Sequence, residues 1–117
     1  MGVKLFYDPG SRTVLAELSG DIDHFTSKSL RESIDAEILA RIPLRLILDL
    51  TGVSFMDSSG IGLIIGRYKL MNDLGGSITA VCPSPETAKL LELGGINRIC
   101  RIVATARDAS FIGGMKI

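Results

Sequence analysis

The chain has no tryptophan, a single histidine and two cysteines in 117 residues. His24, Cys82 and Cys100 are too few and too scattered to have metal-ligand spacing, so no metal or other cofactor is expected. Both cysteines sit in apolar, strand-like runs and read as small buried hydrophobes of a reducing compartment. Net charge is missing too, because 13 basic residues offset 13 acidic ones. No long-range field then favours nucleic acid or an anionic surface, and neither DNA nor a membrane is an expected partner. No apolar run approaches the length of a membrane span. Met1-Gly2-Val3-Lys4 has none of the regions of a signal peptide, so the expected location is the cytoplasm.

What is there is a compact balance, 46% hydrophobic and 22% charged. It suits one globular domain, residues 1–117. Val3–Asp8 and Thr13–Ser19 are strand-like, and Pro9-Gly10-Ser11 between them favours an antiparallel hairpin. Gly20–Thr26 reads as a connector. Thr26 is placed to cap the helix that follows, with Phe25 and Leu30 spaced for a hydrophobic staple. Leu30, Ile34 and Ile38 give that helix one apolar stripe, and Pro43 ends it. Leu44–Leu50 is a near-continuous apolar strand that calls for cover on both faces.

Ser54–Gly60 reads as a loop into a second helix. There Ile61, Ile64, Tyr68 and Met71 share one side, while Gly62, Gly66, Lys69 and Asp73 share the other. Two glycines inside a helix cost about 1 kcal/mol each relative to alanine. They imply either tight packing on the sheet or a bare strip open to a partner. Gly75-Gly76 stops this helix, Ser77–Cys82 is a strand, and Ser84-Pro85 starts a short helix ending at Gly94-Gly95. Ile99–Val103 makes a last strand, and Thr105 and Asp108 open a final helix through Phe111 and Ile112, before Gly113-Gly114 loosens the terminus. The expected order is β-β-α-β-α-β-α-β-α, an α/β fold with a mostly parallel sheet, crossover helices and one N-terminal antiparallel hairpin. Its two strand-to-helix segments, 20–26 and 54–60, should lie side by side at one end of the sheet.

Catalytic patterns are poorly represented. Asp23, His24, Asp57 and Ser58 contain the residue types of a hydrolytic triad, but Ser58 has no Gly-x-Ser-x-Gly setting. Gly60-x-Gly62-x-x-x-Gly66 has the wrong spacing for a dinucleotide fingerprint, and the Walker pattern is absent. An enzyme is therefore not expected. Asp57-Ser58-Ser59-Gly60 instead looks like a helix start, where a phosphate would be tolerated by the backbone and noticed by a partner. The pattern does not choose between Ser58 and Ser59. Arg67 and Lys69 read by default as solvated charges, although Arg67 falls near the apolar arc, where it would snorkel or pair across an interface.

Phe55-Met56-Asp57-Ser58-Ser59-Gly60-Ile61-Gly62 followed by Gly66-Arg67-Tyr68-Lys69 resembles the STAS domain signature, and more narrowly that of the anti-sigma factor antagonists. Gly20-Asp21-Ile22-Asp23-His24 and Gly94-Gly95-Ile96 extend the likeness over nearly the whole chain. The resemblance implies a partner-switching circuit controlling sporulation transcription. The unphosphorylated protein would bind an ATP-bound anti-sigma factor that is also a serine kinase, releasing the sigma factor. Phosphorylation at Ser58 would switch it off, and a serine phosphatase would reset it. The implied partner surface is Asp23, His24, Asp57, Ser58, Ser59, Gly60, Gly62 and Arg67. The alternatives are an antagonist from a stress-response circuit and an anion- or nucleotide-sensing module.

Overall fold

The computed structural model describes residues 2–113, and the side chains of residues 2–109. Five strands, β1 (Gly2–Asp8), β2 (Thr13–Ile22), β3 (Arg45–Met56), β4 (Ser77–Val81) and β5 (Arg101–Val103), form one sheet in sequence order. Four helices, α1 (Ser27–Arg41), α2 (Ser58–Asp73), α3 (Pro85–Leu93) and α4 (Ala106–Gly113), complete the expected alternation. β1 and β2 pair antiparallel, whereas every later pairing is parallel.

Pleating places successive side chains of a strand on opposite faces, and both faces of the sheet are covered. Val14, Ala16 and Leu18 of β2 and Leu46, Leu48 and Leu50 of β3 meet the apolar stripe of α1 (Leu30, Ile34, Ile38). Leu63, Ile64 and Met71 of α2 and Leu91 of α3 join the same layer. On the reverse face Leu15, Ile47, Val81 and Val103 pack with Ala109 of α4. β3 is apolar on both sides because helices lie on both.

Helix ends follow local chemistry. Ser84 accepts from the Thr87 amide with Pro85 in the first turn of α3. Thr105 Oγ1 accepts from the Asp108 amide at 3.2 Å where α4 begins. α1 runs to Arg41 and ends at Ile42, whose φ of 45° lies in the left-handed region immediately before Pro43. The looseness expected at Gly114 lies outside the described residues.

Three expectations need correction. Residues 20–22 and 54–56 are strand, not connector or loop. Here two residues of β2 oppose three of β3, and then one opposes two, so Asp21 pairs with Phe55 and Ile22 with Met56. These bulges absorb residues of poor strand propensity. β5 is shorter than expected, because Gly95, at φ 80°, turns the chain into a 3-10 turn over Ile96–Arg98 that delivers Ile96 to the core. The staple does not form either: Phe25 is 88% exposed.

Candidate functional site at the mouth of the second helix

The two long strands carry both of their helix-bound segments to one end of the sheet. There the Asp57 amide donates to the Ile22 carbonyl at 3.2 Å, tying the segments together. Asp57 is the N-cap of α2: its backbone is extended and its Oδ1 accepts from the Ser59 amide at 2.8 Å. The serines are therefore the first two helical residues and not the cap. Ser58 is exposed, and among the described residues its hydroxyl has no hydrogen-bond partner. Ser59 is half-buried.

Gly60 is fixed by packing. It is buried, and a Cβ there would overlap Cγ and Sδ of Met56 while touching Cγ2 of Ile22 at 3.4 Å. The first turn of α2 is thereby seated against the strand end that leads into it. Gly62 and Gly66 differ, since a Cβ at either would meet nothing within 4 Å. Of the two explanations for these glycines, the bare strip holds and tight packing does not. They line an open groove of about 360 Å³ between α1 and α2, shared with Ser27, Arg31, Ser59 and Arg67.

The neighbouring segment folds on itself. Asp23 Oδ1 accepts from the amides of Phe25 (2.9 Å) and Thr26 (3.0 Å). Thr26 Oγ1 accepts from the Asp23 amide at 3.0 Å and donates to the Asp21 carbonyl at 2.8 Å. The cap expected of Thr26 does not form: Asp23 bonds the two amides just before α1, and no side chain caps the helix from the N-cap position. The Thr26 amide, with help from that of Phe25, holds the Asp23 carboxyl below its ordinary value. His24 and Phe25 stand exposed at the tip, edge to face with ring centroids 5.7 Å apart.

Arg67 is not a solvated charge. It is 6% exposed, its Nη1 donates to the Leu63 carbonyl at 3.2 Å, and its Nε lies 2.7 Å from Asp35 Oδ1 on α1. Charge and proximity make that contact, since its angle is off the line of a hydrogen bond. Burial lowers the Arg67 pKa, which the Asp35 charge partly restores. Sequence reasoning missed Asp35 and Arg31. Their spacing of four residues on α1 was the available signal that both face one neighbour.

The structure therefore brings Asp23, His24, Asp57, Ser58, Ser59, Gly60 and Gly62 to one end. Arg67 lies further along α2, beneath the groove. Among the described residues no cluster of His, Cys, Asp and Glu is fit to hold a metal ion, and no helix is long and apolar enough to cross a membrane.

Residues 10–109 match the family model of the STAS domain. The chain belongs to the STAS domain family. This STAS domain is 39% identical to the anti-sigma F factor antagonist of Paenibacillus polymyxa over 89 residues, 76% of each chain. Its fold is similar to that of the anti-sigma factor antagonist SpoIIAA solved in unphosphorylated form, with a TM-score of 0.74 and 25% identity, covering 99% of this chain and 100% of that one. Against the phosphorylated form of SpoIIAA from Bacillus, the TM-score is 0.72 with 28% identity, covering 95% and 98%. The five-stranded mixed sheet of this STAS domain is thus the architecture of that antagonist.

Proposed function

We propose that this STAS domain is an anti-sigma factor antagonist in a partner-switching circuit controlling sporulation transcription. Unphosphorylated, it captures an ATP-bound anti-sigma factor that is also a serine kinase, and the sigma factor is freed. Phosphorylation of Ser58 ends the capture, and a serine phosphatase restores it. The domain acts in the cytoplasm as substrate and competitor, with no chemistry of its own and no contact with DNA.

The observation that carries this reading is the exposed, unbonded hydroxyl of Ser58 on a helix start capped by another residue. A phosphate there adds about −1.5 to −2 charge. At a helix N-terminus such charge is favourable by about 0.3–1 kcal/mol. The fold tolerates it, so its effect falls on the docking surface. One like-charge contact at about 4 Å, at an effective dielectric of about 20, costs about 4 kcal/mol, nearly three decades in affinity. The similarity to an antagonist solved in its phosphorylated form supports the same assignment.

Within this surface His24, Ser58 and Gly62 face outward and are the direct contacts. Asp57 and Ser59, half-buried beside them, form the rim. Asp23 shapes the tip, Gly60 seats the helix, and Arg67 holds the groove floor. Incubation with ATP and a cognate anti-sigma kinase, followed by intact-mass measurement, tests the proposal. One phosphoryl group should appear, should vanish in Ser58→Ala and should persist in Ser59→Ala. Complex formation should survive Ser58→Ala and fail once Ser58 is phosphorylated. Phosphorylation elsewhere, or capture that ignores it, would refute the reading.

A further inference from the structure

The charged residues that line the groove between α1 and α2 are both cations, Arg31 on α1 and Arg67 on α2. The rest of the lining is neutral and includes Ser59 and the bare backbone of Gly62 and Gly66. The chain as a whole has no net charge, so a groove with cations alone along its walls is a local excess.

One carboxylate answers these two guanidiniums. Asp35 stands against Arg67 Nε, whereas Arg31 is exposed and has no ion pair among the described residues. Burial does most to lower the Arg67 pKa, and the nearby Arg31 charge adds to it. Arg67 is buried, and its donors are not all used. Nη1 donates to the Leu63 carbonyl, Nε has no hydrogen-bond partner, and Nη2 bonds no described residue. The Ser59 hydroxyl, half-buried, likewise bonds none. Spare donors on a desolvated cation favour an incoming anionic acceptor.

Given the function proposed above, we propose that this groove receives an acidic side chain of the anti-sigma factor, its carboxylate held by Arg31 and Arg67. The planar guanidinium of Arg31, free of other partners, suits a carboxylate held at both oxygens. Ser59 supplies a further hydroxyl donor, and Gly62 and Gly66 let the stem of the side chain lie against helix backbone. Ser58 adjoins Ser59 in the first turn of α2. A phosphate on Ser58 therefore stands beside the seated carboxylate with like charge, which gives the repulsion that ends capture a definite source.

The test is calorimetric titration of the cognate anti-sigma kinase with the full chain and its variants. Arg31→Gln should weaken capture roughly tenfold and Arg31→Glu further, whereas Arg31→Lys should lose less than either. Arg45→Gln, at the far end of the sheet, should leave capture unchanged. Changing one Asp or Glu of the anti-sigma factor to Arg should recover the affinity lost in Arg31→Glu. With excess kinase each variant should still gain one phosphoryl group at Ser58 by intact mass, which shows that it is folded. Undiminished capture by Arg31→Glu, with Ser58 still phosphorylated, would overturn the acidic contact and leave the proposed function standing. Failure of every acidic position to restore Arg31→Glu would overturn it too, as would self-association of the chain that Arg31→Gln abolishes while capture is unchanged. A wild-type chain neither phosphorylated nor captured would overturn both.

Discussion

Arg67 of α2 reaches Asp35 of α1 across the groove wall, Nε to Oδ1 2.7 Å, and is the most deeply buried cation among the described residues. Removing one partner of such a pair strands the other charge, whereas replacing both with apolar groups removes the desolvation cost. Because Asp35 retains some exposure, its loss is screened. Asp35→Ala should destabilise the domain by about 1–3 kcal/mol. Arg67→Met should cost less, and the double variant should be at least as stable as Asp35→Ala. Urea unfolding of the three proteins reads the cycle, and strict additivity would show the pair to be uncoupled.

The bare glycines give a prediction of opposite sign for fold and function. With open space where a Cβ would stand at Gly62 and Gly66, Gly62→Ala should stabilise the domain by about 0.5–1 kcal/mol. The added methyl narrows the groove, so affinity for the anti-sigma factor should fall. Thermal unfolding and a binding titration on the same variant separate the two effects. A stabilised variant with undiminished affinity would show that the strip is not a contact surface.

Gly60→Ala should behave differently. Its Cβ has no room unless Met56 moves, and overpacking of this kind costs about 1–3 kcal/mol. Gly60→Ala paired with a smaller residue at 56 should recover part of that loss, as differential scanning calorimetry would show.

Asp23 predicts a pH dependence. Its folded pKa lies below the ordinary value of 3.8, chiefly through the Thr26 amide. Its contribution is therefore complete above about that value and is lost as pH falls through the lower folded one. Asp23→Asn keeps the acceptor oxygen but cannot titrate. The stability difference between wild type and variant should be constant from pH 7 to about pH 5 and should shift in the variant's favour in stronger acid. Denaturant midpoints over that range measure it, and parallel curves throughout would remove the role assigned to the carboxylate.

How far the chain could be read depended on the range of the forces involved. Leu30, Ile34 and Ile38, the Ser84-Pro85 helix start and the alternation of strands and helices are local patterns, and each appears where periodicity and capping place it. Residues 20–22 and 54–56 escaped notice because each makes the other a strand, through bulges that neither segment displays alone. Arg67 escaped for the same reason, since its partner lies on another helix. The shortening of β5 depended on how Gly95 redirects the chain to bury Ile96. At the site, the helix start at Asp57-Ser58-Ser59-Gly60 is a local pattern, whereas Asp57 as its cap and Ser58, not Ser59, as the exposed hydroxyl needed the backbone geometry. The openness of the glycine strip needed the position of α1.

The packing of Gly60 against Met56, only two residues from the open hydroxyl of Ser58, has a wider consequence. A first turn seated on so close a contact has no free volume into which it could shift, so the backbone that presents Ser58 is held in place. Under the proposed function, a group attached at Ser58 is therefore offered on a fixed platform to a protein that comes and touches it. On that reading the molecule is a token that changes hands, its face rigid whichever group it carries.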